Sequence, residues 1–178
     1  MKKMLVSTLV LACLTALQQV AVADPPVEPR TIVSFRTMYG VDGPFLGASN
    51  AIRGVPGDDL PWEVRLAIGS LNTNGHLKIL VRGLVFKDEE SVPEEKRGIN
   101  DEPNFRGVVS CLTEADDAVP TVNVATRVFR ATATGNANIE ETIELPNPCV
   151  APVVFVTGED PDKWFAVTGF EKEEEGEE

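Results

Sequence analysis

"WEVRLAIGSLNTNGHLKILVRGLVF", Trp62 to Phe86, is the stretch on which the fold turns. In its first half Trp62, Val64, Leu66 and Ile68 alternate with Glu63, Arg65 and Ala67. In its second half Leu77, Ile79, Val81 and Val85 alternate with His76, Lys78, Leu80, Arg82 and Leu84. A period of two sends successive side chains to opposite faces of a strand, and a helix with one buried face needs about 3.6. Asn74-Gly75 between the halves supplies the positive φ values of a tight turn, so the stretch reads as an antiparallel hairpin.

The same period extends outward from the hairpin. Further strands are expected at Thr31–Tyr39, Phe105–Thr113, Thr121–Ala133, Asn138–Leu145, Ala151–Thr157 and Trp164–Phe170, which makes about eight in all. One short helical turn is expected after Ser91, with Ser91 as N-cap, Pro93 near the start and Glu94 closing a capping box. An all-β chain with this spacing implies an antiparallel two-sheet β-sandwich, immunoglobulin-like, with an open Greek-key barrel as the alternative. The domain organisation follows: residues 1–23 an export signal, 24–30 a Pro-rich extended leader, 31–170 the sandwich, and 171–178 an acidic tail.

The export signal rests on Lys2 and Lys3, an apolar run from Met4 to Leu17, and Ala21-Val22-Ala23 as a small-x-small cleavage site before Asp24. The run falls short of the roughly 18 apolar residues that span a bilayer, so no transmembrane helix is expected. The product would be periplasmic or extracellular. Val10-Leu11-Ala12-Cys13 is a passable lipobox, and cleavage there would leave a lipoprotein anchored through Cys13 instead. With Cys13 removed, Cys111 and Cys149 remain as an even pair in an exported chain, the usual setting for a disulfide.

The net charge of the chain is −12, and loss of Lys2 and Lys3 deepens it. So acidic a protein repels phosphate backbones, which argues against nucleic acid as a partner. The single histidine, His76, reads as a solvated residue beside the hairpin turn. The chain has no G-x-S-x-G elbow, no H-E-x-x-H and no Gly-rich phosphate loop.

Strands that reverse direction in turn sort their connections into two ends. Gly40–Pro61, Lys87–Asn104, Thr134–Ala137 and Gly158–Asp162 fall at one, called upper here; Asn72–Gly75, Glu114–Pro120 and Pro146–Val150 fall at the lower. Cys111 and Cys149 both sort to the lower end, as a disulfide requires. Every long loop sorts to the upper end, and long loops in compact domains tend to carry function. Trp62 and Trp164 begin strands there beside Asp58 and Asp59, a set suited to stacking on a sugar ring or a partner's side chain. A tryptophan at the head of an alternating strand is more often core, and Trp62, in register with Val64, Leu66 and Ile68, fits that alternative. Glu159, Asp160 and Asp162 share one tight loop and offer the hard oxygen ligands that calcium takes.

These features point to an exported, non-catalytic binding module that uses loops 40–61, 87–104 and 158–162 to engage an extracytoplasmic protein or glycan. A small secreted or cell-envelope hydrolase using paired carboxylates is the alternative from another class. A calcium-stabilised structural module is the third.

Overall fold

The computed structural model describes residues 28–171. The export signal, Cys13, most of the Pro-rich leader and the acidic tail beyond Glu171 lie outside the described residues. Among the described residues ten strands form two antiparallel sheets, so the two-sheet sandwich is the observed architecture there and a continuous barrel is not. The strands are β1 (Thr31–Phe35), β2 (Met38–Gly40), β3 (Trp62–Asn72), β4 (His76–Phe86) and β5 (Asn104–Leu112), then β6 (Thr121–Ala125), β7 (Phe129–Arg130), β8 (Ala137–Thr142), β9 (Val150–Thr157) and β10 (Trp164–Thr168).

One sheet has the order β1-β3-β4-β8; the other runs β2-β10-β9-β5-β6, with β7 also on β5. Two of the expected strands are each broken in two. The first expected strand changes sheets between Phe35 and Met38, pairing with β3 before the break and with β10 after it. The second break, Thr126 to Val128, separates β6 from β7 while both stay on β5. In the seven-stranded immunoglobulin arrangement the second and third strands lie in different sheets. Here the hairpin strands β3 and β4 pair within one sheet, so that finer likeness is not carried by the strand order.

The hairpin forms where expected but closes differently. Of the turn residues only Gly75 has positive φ, at 79°, and its N–H donates to the carbonyl of Asn72 at 2.9 Å. That is a three-residue connection ending in a left-handed glycine rather than a two-residue turn with both central residues left-handed. The facing of its strands also changes midway. Ala67, Leu71, Leu77, Ile79 and Val81 point into the core, while Leu66 is 38 % exposed. Beyond Arg65 and Gly83 the inward positions become Trp62, Leu84 and Phe86. Gly83, at φ 67°, is the site of the change, a conformation that glycine adopts without a Cβ penalty.

The inter-sheet core is aliphatic below and aromatic above. Gly107 sits inside it, where an added Cβ would come within 2.7 Å of Leu77 Cδ2, so no side chain fits between the sheets at that residue. At the upper end Trp62 stacks on Phe165 with centroids 4.3 Å apart and contacts Phe86 at 4.1 Å. At the lower end Cys111 and Cys149 are bridged, with Cα atoms 4.9 Å apart, as the sorting of loops implied.

The helical turn after Ser91 differs from expectation. A short 3-10 turn occupies Glu94–Lys96 with Pro93 at its start, and the Ser91 hydroxyl bonds the Glu89 carboxylate instead of capping. One turn is too short for a capping box to repay the ordering of two side chains. Among the described residues no helix is long and apolar enough to cross a membrane.

Candidate functional site

The upper end is built around the entry points of β3 and β10. From Gly40 the chain passes through Val41, whose N–H donates to the Phe165 carbonyl at 2.9 Å and whose carbonyl accepts from Trp62 N–H at 2.8 Å. Asp42 caps the 3-10 turn Gly43–Phe45, accepting from Gly43 N–H at 2.7 Å, and pairs with Lys87. That hydrogen bond is the main reason the Lys87 ammonium titrates above its ordinary value.

The rest of loop 40–61 does not stay at the upper end. It descends over the outer face of the six-stranded sheet. The Arg53 guanidinium donates to the Ala151 carbonyl at 3.0 Å, and the Arg53 carbonyl accepts from Asn123 Nδ2 at 3.3 Å. Arg53 has φ 54° in the turn between Ile52 and Val55. A left-handed non-glycine residue costs about 1 kcal/mol, which these two contacts help offset. The chain then returns beside β10, where Trp164 N–H donates to Pro56 and Asp58 N–H donates to Trp164.

This course gives the sandwich a second core outside the six-stranded sheet. Val108 and Phe155 face outward there, because their neighbours Gly107 and Val156 face the other sheet. Trp164 packs among Phe155 and Phe45, each with centroid 6.2 Å away. Trp164 is 0 % exposed and Trp62 1 % exposed, so neither indole offers a face to a ligand. The stacking role expected of them is corrected accordingly: burial of an indole contributes more here than an exposed platform.

The two aspartates expected beside them are part of the architecture. Asp58 accepts from Trp62 Nε1 at 2.8 Å, four residues along the chain. Asp59 pairs with Lys163, whose Nζ also lies 3.9 Å from Asp58. The proposed calcium loop is likewise engaged. Asp160 Oδ1 accepts from Asp162 N–H at 3.3 Å, and Glu159 accepts from Asn104 Nδ2 at 3.3 Å. Among the described residues no three His, Cys, Asp or Glu side chains are grouped so as to hold a metal ion.

What the upper end does bring together is a groove of about 500 Å³ walled by Asp58, Glu102, Glu159, Asp160, Asp162 and Lys163. Desolvation raises the Glu102 carboxyl above its ordinary value, with the charges of Asp101, Asp58 and Glu159 adding to the effect. Glu102 was not singled out from sequence. It is placed by Asn100, which is 4 % exposed and donates to the carbonyls of Glu102 at 2.7 Å and Thr132 at 2.9 Å. A buried asparagine that ties a long loop to the connection between β7 and β8 leaves no motif behind.

A raised carboxyl is favoured in the fold when protonated, so ionisation of Glu102 works against stability. The penalty is absent below the unfolded value near 4.5 and complete above the raised folded value. Glu102→Gln is therefore expected to raise Tm at pH 7. The gain over the native chain should vanish as the pH falls below the ordinary glutamate range, which thermal melts across that window measure.

His76 lies at the lower end, far from this groove along β4, with Nε2 3.2 Å from Glu140 Oε1. Lys78 shares the same carboxylate at 3.4 Å. Comparison of the chain with protein-family models, with curated proteins and with solved structures found no match.

Proposed function

We propose that the protein is an exported, non-catalytic binding module whose upper end engages an extracytoplasmic protein or glycan. The observation that carries this reading is the acidic groove, where carboxylates from three separate loops meet and one of them is held above its ordinary pKa. Like charges crowded in a partly desolvated groove favour a cationic or hydrogen-bond-donating partner, because such a partner relieves their repulsion. The Cys111–Cys149 bridge agrees with an oxidising compartment, and the charged n-region, apolar run and Ala21-Val22-Ala23 give the route to it.

Glycan arrays and cross-linking to envelope proteins, run with the native chain and with Glu102→Gln/Glu159→Gln, test the reading. A partner captured by the native chain and lost at least tenfold in the variant, with Tm not lowered, supports it. Equal capture by both sinks it. A calcium-stabilised module, for which no three ligand side chains are grouped among the described residues, would predict a Tm that rises in millimolar calcium and falls in EDTA. Identical melts in the two conditions overturn that second reading.

A further inference from the structure

Among the described residues, β6 is the one edge strand longer than three residues that lacks a device against pairing with another strand. β1 carries a bulge between Thr31 and Val33, β2 has 3 residues, and β8 bears Glu140 and Glu141 along its length. β6 reads TVNVA, with no charge, no proline and no register shift against β5. Natural sheets guard their edges by those means, so an unguarded one stands out.

The hydrogen-bond phase of that edge can be read from its ends. Thr113 N–H donates to Pro120 and Thr126 N–H donates to Gly107, so the bonded pairs on β5 fall on alternate residues that include Val122 and Val124. The N–H and C=O groups of Thr121, Asn123 and Ala125 therefore face away from β5. On the inner face Val122 and Val124 remain only partly buried.

We propose that this edge pairs antiparallel with β6 of a second copy of the chain, with Asn123 against Asn123 across a two-fold axis. In that register every outward-facing residue meets another outward-facing one, giving on the order of six backbone hydrogen bonds. Val122 of one copy then lies directly opposite Val124 of the other, an apolar cross-strand contact on the inner face. The flanks match in charge. Glu114, Asp116 and Asp117 precede β6, and Arg130 and Arg127 follow it, Arg127 already 3.9 Å from Glu141; all are exposed, and antiparallel pairing carries the acidic flank of each copy toward Arg130 of the other. The chain's overall acidity opposes association, so the local match decides the register.

Sedimentation equilibrium of the purified chain, from micromolar to several hundred micromolar at physiological ionic strength, tests this. The native chain is expected to show a concentration-dependent dimer. Asn123→Pro removes an outward N–H without touching the β5 ladder and should leave a monomer; Asn123→Ala keeps that N–H and should still dimerise. Arg130→Glu should weaken the dimer at least tenfold, whereas Arg36→Glu, the same charge change at the far edge, should not, and this pair stands in if Asn123→Pro fails to fold. A native chain that stays monomeric throughout, or a dimer indifferent to both Asn123→Pro and Arg130→Glu, overturns the proposal.

Discussion

Replacing Cys111 and Cys149 together by alanine is expected to cost about 4 kcal/mol and to lower Tm by roughly 10 °C. The first figure follows from the sequence separation of 38 residues, since a loop of that size removes entropy from the unfolded chain in proportion to the logarithm of its length. The bridge joins the end of β5 to the segment leading into β9, two strands already paired through Val109 and Val154. It therefore clamps the centre of the six-stranded sheet. Cys111 is buried and packs with the inward residues of β5, so the alanine variant also loses sulfur contacts. Urea unfolding of the native chain, the reduced chain and the double variant separates the two effects. Reduction should account for most of the loss, because it opens the loop while keeping both sulfurs. A reduced chain with an unchanged urea midpoint would mean that the unfolded state is not governed by this loop.

The bridge was legible in the sequence because it needs only coarse information. Alternating strand directions place Cys111 and Cys149 at one end whatever the strand order. The hairpin was legible for a similar reason: Leu77, Ile79 and Val81 are inward, as their spacing says. Its facing beyond Arg65 was not. Apolar residues stand on both faces of that stretch, with Leu66 and Leu80 set against Ala67 and Val81, and the change of phase depends on the φ of Gly83. A single glycine within a strand signals an irregularity without telling which side turns inward.

The candidate site shows the same division. Sequence brought Asp58, Asp160 and Asp162 to one end, and all three do wall one groove. The partners of Asp58 and of the neighbouring Glu159 were hidden, because Lys163 and Asn104 reach them across loops far apart in the chain. Trp164 could not be assigned from its own strand. Its burial comes from Phe45 and the segment around Pro56, more than a hundred residues earlier, folding over the outer face.

Trp62→Ala is expected to be more damaging still, at about 4 kcal/mol or above, because truncating a fully buried tryptophan leaves a cavity that a rigid β-sandwich closes poorly. Three aromatic rings, Phe86, Phe105 and Phe165, contact the indole and join the two sheets through it. A second loss is polar. Asp58, with a side chain 18 % exposed, accepts from the indole N–H at 2.8 Å and would keep only Lys163, 3.9 Å away. Trp62→Phe divides the two contributions, retaining an aromatic ring while deleting the donor, and should cost about 1–2 kcal/mol, the loss of a hydrogen bond to a charged group. Asp58→Asn keeps an acceptor for the indole and should fall below both. Denaturant unfolding of the three variants gives the ranking. If Trp62→Phe proves as destabilising as Trp62→Ala, the hydrogen bond to Asp58 rather than packing holds the upper end, and the acidic groove and the core are one structure. If the alanine variant keeps the native midpoint, Trp62 does not join the sheets and the description of the upper core fails.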